Sequence, residues 1–535
     1  MPLPDPGTAW PPKPLARVYH DLARWGAWWQ GDPDELSRVY GGGGGHESGT
    51  FRQVGLRGTL QRFWWGQPPK AGEQRTKIHV PIAAEIAQVS ADLIFGQPPS
   101  ILVEDDDVTQ ARIDELIGDR AGNQLHEAAE ACAALGHVFL RVGWDRDVDP
   151  DGPLLSVVDA DAALPVYAYG KLREVTFVRE WNQSGTVLRH LELHQKGVIW
   201  HAAYLGGISE LGKQVPLTAY PETQDVAEAG MIADPDMNGS GIETGIDMLD
   251  VVGVANSRSV NWRHLPAAKD LGAADISGVE QSLDALDDCF SSWMQDIRHG
   301  RSRIHVPQHM LDDQGLGKGA TFHADREIYS ALNSLPGVPL AQQLVATQFK
   351  IRYEEHLATA TALMGQIVGG CGYSLQTFGL DASTSTQTAT EAWARQNRTQ
   401  STRNGKLRAW NPAIVDLTKI LLAVDVAQFG GHADPDADVC VQFADTVSDS
   451  QLTRAQTASL LAAAGAASTE TLVELVHNDW DGERQAEEVA RIKAEQGLSQ
   501  APVQDGLPPQ HDQGLPPGGT EPGGSTGIDL SANTE

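Results

Sequence analysis

The sequence predicts an α+β chain: a strand-rich domain, two long helices separated by a small insert, then a further long helix and a short helical close. Three observations carry this. Residues 137–204 break into β-rich runs ("HVFLRVGW", "LLSVVDA", "REVTFVREW", "VLRHLELHQ", "GVIWHAAY"). Residues 276–297 carry a strict helical stripe, and a helical pattern runs from about 389 to 424 behind a soft Ser/Thr/Gln segment, "LQTFGLDASTSTQT".

At 535 residues the chain exceeds what one core serves and implies about two to four domains. Apolar residues at 41% and charged residues at 21% give an ordinary globular balance, so the chain folds. A net charge of −31 argues against a protein that coats DNA by neutralising phosphates, though not against a wall that DNA slides past. Cys132, Cys289, Cys371 and Cys440 lack CxxC spacing and sit in apolar or helical contexts, which predicts buried free thiols in a reducing cytoplasm. The N-terminus has no signal-peptide pattern and no run reaches eighteen apolar residues, so neither export by that route nor a membrane span is expected.

Taken in order, residues 1–74 mix Pro, Gly and Trp and read as an irregular arm whose tryptophans dock on something larger. Pro81 suits the start of a helix in which Ile82, Ile86, Val89 and Leu93 recur, stopped by Gly96 and Pro98 before a short strand at 101–103. A second helix, about 123–135, ends at Gly136 and leads into the strands. Val279, Leu283, Leu286, Phe290, Trp293 and Ile297 then alternate at four and three, with Glu280, Asp284, Asp287, Asp288 and Asp296 off that stripe. Such a narrow seam fits either packing on its own domain or self-association. A turn-rich insert at 298–338 precedes a helix from Pro339 to about 366. Thr388 and Glu391 are spaced as a capping box for the long helix, with bends expected at Gly405 and Pro412. A strand at "DVCVQF", helices ending at Gly465, opening at Ser468 and running from about 482 to 496, and a disordered tail from 498 complete the chain.

Motifs for chemistry are sparse. "DPDMNGSGIETG" matches half a calcium loop at Asp234, Asp236, Asn238 and Gly239, but its twelfth position is Gly245 instead of a bidentate Glu, so it reads as a solvated acidic turn. "GLGKGAT" at 315–321 follows Lys318 with Gly319, which does not make a phosphate cradle. HExxH and GxSxG are absent, so no catalytic residue, metal site or cofactor is expected. Two basic patches stand out from the acid: Arg298, Arg301 and Arg303, and Arg395, Arg398, Arg403, Lys406 and Arg408 against the single Glu391. They suit phosphates or an acidic partner surface, and ion pairing within or between subunits fits them equally.

In combination, "KIHVPIAAEIAQVSADLIFGQPP", "GVEQSLDALDDCFSSWMQDI", "TFGLDASTSTQTATEAWARQNRT" and "STETLVELVHNDWDGERQAEEVARIKAE" resemble the portal, or head-to-tail connector, proteins of tailed double-stranded-DNA bacteriophages with long non-contractile tails. The likeness spans most of 75–497. It implies a portal-like fold: an N-terminal arm at 1–74, a strand-rich wing at 75–260, a first stem helix within 261–297, a clip at 298–338 and a second stem helix at 339–366. A tunnel loop, long kinked helix and wing return would fill 367–448, a helical crown 449–497 and the tail 498–535.

The resemblance further implies a ring, usually dodecameric, at one capsid vertex of the virion, assembled in the host cytoplasm. Double-stranded DNA would pass through it without sequence specificity during packaging and ejection. Terminase large subunit, major capsid and scaffolding proteins and a head-tail adaptor would be its partners. Gln376, Thr377, Ser383, Thr384, Ser385, Thr386 and Gln387 would then be a DNA-facing tunnel loop, whose neutral hydrogen-bonding side chains hydrate a moving duplex without gripping it. The competing classes are a metal-dependent nuclease or nucleotide hydrolase using the acidic clusters, and a virion adaptor without a channel. If the 279–297 seam joins subunits, Leu286→Asp abolishes rings and leaves the wing's secondary structure intact.

Overall fold

Two antiparallel sheets and the helices that cover them organise most of the chain. The computed structural model describes residues 3–41, 63–66, 77–228 apart from 105 and 184, 232–234, 239–299, 351–380, 389–443, and 458–499 apart from 463 and 478–481, together with short strands at 303–305, 312–313, 320–321 and 345–347. The chain divides into two compact units, 1–446 and 447–535.

The N-terminal residues are helical where an irregular arm is expected. Helix α1 spans Ala16–Gln30 and α2 spans Pro33–Gly41. Val18, Leu22, Trp25 and Trp28 share one face of α1 and are buried, and Gly31 at φ 67° ends it. The tryptophans dock on this same chain: Trp25, Trp28, Trp64 and Trp65 all belong to its largest core.

Helix α3 (Ile82–Phe95), strand β1 (Ser100–Val103) and helix α5 (Asp119–Leu135) fall where sequence places them. Between the last two lies an unexpected α4 (Asp107–Leu116), started by Asp106, whose carboxylate accepts from the N–H groups of Val108 and Thr109. Gly136 closes α5 at φ 82°, and a Cβ there would meet the Ala273 backbone at 2.5 Å, so both conformation and space require glycine.

Strands β2 (His137–Gly143), β3 (Leu154–Asp159), β4 (Ala163–Ala168), β5 (Lys171–Gln183), β6 (Thr186–Gln195), β7 (Val198–Gly206) and β8 (Lys213–Val215) follow, then helix α6 (Pro221–Glu228) and strands β9 (Ile232–Asp234), β10 (Gly239–Glu243) and β11 (Val251–Ala255). One sheet has the order β4-β5-β6-β7-β10-β9 with β8 on β7; the other is β11-β2-β3. The acidic turn sits between β9 and β10, with Asp234 paired to Gly239.

Helices α7 (Glu280–His299) and α8 (Tyr353–Gly370) are the two long helices, and α9 (Ala389–Val424) is the third. The helix expected from 339 begins only at Tyr353. Before it, β15 (Val345–Thr347) pairs with β12 (Arg303–His305), and β13 (Asp312–Asp313) with β14 (Ala320–Thr321); β-branched Val345 and Thr347 suit a strand. Helix α9 runs unbroken past Gly405 and Pro412. Strand β16 (Val439–Gln442) then pairs with β1, the longest-range ladder in the unit. In the second unit, α10 (Thr469–Val476) is capped by Ser468 and α11 (Gly482–Ser499) follows, tied back by Lys493 to Glu470 at 2.9 Å. The expected tail lies outside the described residues. All four cysteines are free; Cys132 and Cys371 are buried, but Cys289 is half-buried and Cys440 is exposed, because β16 turns alternate residues outward.

Strand β6 is buried on both faces although it carries Arg189, His190, Glu192 and His194. Leu191 and Leu193 pack in the core of the N-terminal helices. On the opposite face, His194 donates to or accepts from Asp250 at 2.8 Å and Glu192 at 3.0 Å, and Arg141 reaches Glu192 at 2.9 Å. Two cations and two carboxylates thus close a buried network without net charge. Burial opposes the His194 imidazolium, but Asp250 and Glu192 outweigh it and raise its pKa to about 9. The stabilisation is therefore full below the unfolded value near 6.5 and lost as pH rises through about 9. The expected result is a melting temperature that declines over that window, with the decline abolished in His194→Gln, measured by thermal unfolding at a series of pH values.

Candidate functional site

Helices α7 and α8 form an antiparallel hairpin. At one end Val279 meets Gly370, and at the other Asp296 accepts from Arg352 at 2.9 Å and pairs with His356 at 3.0 Å. His356 stacks on Trp293 with ring centroids 5.9 Å apart. Hydrogen bonds from His356 and Arg352 hold the Asp296 carboxyl below the usual carboxylate range.

The seam is thereby occupied by the chain itself. Leu283 and Leu286 are 1% and 0% exposed and share a core with Ala360, Ile367 and Val368 of α8; Val279 and Phe290 pack against it. Only Ile297, at the far end, is 39% exposed, near Met294 of the same helix; on α8, Tyr353 and Leu357 are also exposed. The self-association reading of this stripe is corrected at Leu283 and Leu286, because four-and-three spacing buries equally well against a partner from the same chain.

Of the acids beside the stripe, Asp287 is buried and Glu280 and Asp284 are half-buried. Glu280, Asp284, Asp287 and Ser291 fall one or two turns apart on α7 and form a ladder of acceptors. Glu280 accepts from Trp25 Nε1 at 3.1 Å, and Asp284 accepts from the Trp64 and Trp65 amides at 2.7 and 3.2 Å. Asp287 takes Trp65 Nε1 at 3.0 Å, His79 Nδ1 at 2.8 Å and the Val80 amide at 2.9 Å, and Ser291 takes the Ile78 amide at 2.9 Å. Lys77 lies over both Trp64 and Trp65 and donates to their carbonyls. Burial, with Asp287 and Asp288 nearby, pushes the Asp284 carboxyl up to about 6 despite its backbone hydrogen bonds.

The segment after α8 returns to α9 through hydroxyls. Gln376 and Thr377 lie in a single 3-10 turn, Leu375–Phe378, and both are half-buried. Thr377 Oγ1 is 2.9 Å from Thr399 Oγ1, which also accepts from the Ser374 amide at 2.9 Å. Thr377 therefore anchors the loop to α9. Ser383, Thr384, Ser385, Thr386 and Gln387 lie outside the described residues, as do Arg301 and the side chains of Arg303 and Arg395. Arg298 and Arg398 are exposed.

The second basic patch splits in two. Arg403 and Lys406 face inward: Arg403 donates to the Leu93 carbonyl at 2.7 Å, and Lys406 Nζ meets Asp275 at 2.6 Å and Ser90 Oγ at 2.6 Å. The outward line is Asn397, Ser401, Asn404, Arg408 and Asn411, spaced four and three and all exposed, with Arg398 beside it. No acid occurs from 392 to 415. Sequence reasoning missed the neutral members of this line, though their spacing was available. Among the described residues no group of three His, Cys, Asp or Glu could hold a metal ion.

The family model "Phage portal protein, SPP1 Gp6-like" matches residues 67–500. No curated protein gives a match. Among solved structures, the chain is similar to one in the neck of a native gene transfer agent particle computed with C12 symmetry, at 12% identity over 74% of this chain and 90% of the other, with a TM-score of 0.40. It is also similar to one in the neck of the empty particle computed with C6 symmetry, at 14% identity, the same coverages and a TM-score of 0.41.

Two outcomes follow from the helix hairpin. Leu286→Asp is expected to lose the fold of the first unit, seen as a collapsed melting transition, because the charge enters this chain's own core. Asp287→Ala removes three hydrogen bonds to a carboxylate, each worth about 1.5–3 kcal/mol net, and should lower stability by at least about 3 kcal/mol. Hydrogen exchange should show the Trp65 indole N–H and the Val80 amide opening first.

Proposed function

Because the chain belongs to the SPP1 Gp6-like phage portal protein family, a structural rather than catalytic family, we propose that it assembles as a ring in a virion. The ring surrounds a channel through which double-stranded DNA is packaged and ejected. It docks a terminase large subunit during packaging and a head-tail adaptor afterwards, and sits among capsid and scaffolding proteins. Twelve copies is the number the resemblance implies. The chain carries no chemistry of its own in this reading; the motor is a separate protein.

One observation bears most directly on the DNA role: the outward line of α9. Asn397, Ser401, Asn404 and Asn411 offer neutral donors and acceptors, and Arg398 and Arg408 supply two cations on a stretch of helix that itself carries no acid from 392 to 415. A duplex sliding past such a surface exchanges phosphate contacts for water at little cost. Releasing about two phosphate contacts involves few counterions, so motion is not braked by strong binding. The same logic extends to the Ser/Thr/Gln segment at 383–387, which leads directly into this helix.

Negative-stain electron microscopy with native mass spectrometry tests the architecture. Rings with a central hole are expected, and a compact monomer across several salt concentrations would overturn the reading. For the α9 line, Ser401→Asp with Asn404→Asp should leave rings intact and slow packaging by about tenfold, equivalent to about 1.4 kcal/mol on a barrier. Normal packaging with this pair would remove the line from the channel wall.

A further inference from the structure

We propose that neighbouring copies of this chain join head to tail through two loops at opposite ends of the β11-β2-β3 sheet, a basic loop at 256–270 and an acidic loop at 144–153. This rests on the ring reading and names the surfaces that would carry it.

The basic loop leaves β11 at Ala255, beside His137 at the start of β2. It is held there by the Asn256 amide on the Gly136 carbonyl at 3.0 Å and by the Arg258–Gly272 bridge. Its one large core side chain, Trp262, is buried against Trp25 and donates to Asp21 at 2.9 Å. Ser259 and Ala268 are buried as well, while Arg258, Arg263 and Lys269 are exposed, as is Val260 at 69%. No acid lies between Asp250 and Asp270, and among the described residues none of these three cations has an acidic partner.

The acidic loop joins β2 to β3 at the other end, where Gly143 pairs with Leu154. It carries Asp145, Asp147, Asp149 and Asp151 around Val148, which is 64% exposed. The loop's own cation is turned away from it: Arg146 donates to the Gln428 carbonyl at 2.5 Å and lies over the Phe429 ring. Each loop therefore presents an exposed valine among charges mostly of one sign, and the two signs are opposite.

Separation turns complementarity into assembly. His137 and Gly143 are six residues apart on one strand, about 20 Å at the usual rise. That exceeds a Debye length of about 8 Å at physiological salt, so the two loops do not neutralise each other within one copy. Different patches at opposite ends of one rigid sheet make a heterologous contact, the type that generates rings when its rotation closes. Charge complementarity favours a second copy as the occupant of the basic loop, and the apolar centres allow the contact to be dehydrated.

The test is a charge exchange in the full-length chain, read by native mass spectrometry and negative-stain microscopy, with thermal unfolding as a folding control. R258E/R263E/K269E and D145K/D147K/D149K are each expected to lose most rings, with at least a tenfold rise in the concentration needed for half assembly, at an unchanged melting temperature. Combining the six substitutions should restore rings. Wild-type rings that persist in either triple variant, or a sixfold variant that stays disassembled, would overturn the pairing of these loops. A wild-type chain that never forms rings would instead overturn the ring reading itself.

Discussion

The first unit depends on one buried ion pair. Lys406 of α9 meets both oxygens of Asp275, at 2.9 and 2.6 Å, and Ser90 of α3 at 2.6 Å. Asp275 also accepts from Tyr373 at 2.7 Å and from Asn256 at 2.7 Å. Five separate stretches of chain converge on these two charges: α3, the end of β11, the approach to α7, the exit of α8 and the middle of α9. Desolvating such a pair costs several kcal/mol per ion, and the attraction offsets it only when every remaining donor and acceptor is matched. Here they are matched. Burial also pushes the neighbouring Cys132 thiol up to about 12 and drives the Tyr373 hydroxyl well above its usual value, so neither adds charge to the site at neutral pH. Removing either partner would leave the other as an uncompensated buried charge, so the pair ties the five segments to one arrangement.

The ladder on α7 extends the same principle to the N-terminal residues. Four acceptors along one helix line fix where residues 63–66 and 77–80 lie, and through them the tryptophans of α1 and the turn at Trp64. Asp284, pushed up to about 6, accepts from the Trp64 and Trp65 backbone amides, and Asp287, fully buried, accepts from the Trp65 indole N–H, which needs an acceptor there. Tryptophans and carboxylates therefore belong to one device. In the sequence they are two unrelated features, more than two hundred residues apart.

That separation explains what was legible. Periodicity is a local signal, so β2, β3, β5, β6 and β7, α3, α5 and the long α9 could be read, as could the glycine that ends α5. The stripe of α7 was legible as a stripe, but spacing does not identify the partner, and the partner is α8 of the same chain. Acids off a stripe look solvated by default, and only long-range contacts reveal that Asp284 and Asp287 are not. Short strands such as Val345–Thr347 inside a helix-compatible run escaped because three residues carry little periodicity. At the candidate channel surface, counting arginines and lysines misled: Arg403 and Lys406 sit one turn from Arg408 yet serve the core.

In so acidic a chain the disposition of cations is therefore informative. Arg24, Arg112, Arg141, Arg189 and Lys406 are all committed to internal carboxylates. Other exposed cations are scattered over the first unit, Lys13, Arg17, Lys171, Arg173, Lys196 and Lys213 among them; the α9 line and the loop after β11 differ in lying on stretches of sequence without an acid, 392–415 and 251–269. A chain of net −31 repels its copies, so association between copies has to be local and specific rather than general. In the proposed ring, sparse cations on α9 would keep a passing polyanion from sticking, and the group at the end of the sheet would hold a neighbouring acidic copy. Both proposals rest on where the fold exposes positive charge, which counting that charge along the sequence does not give.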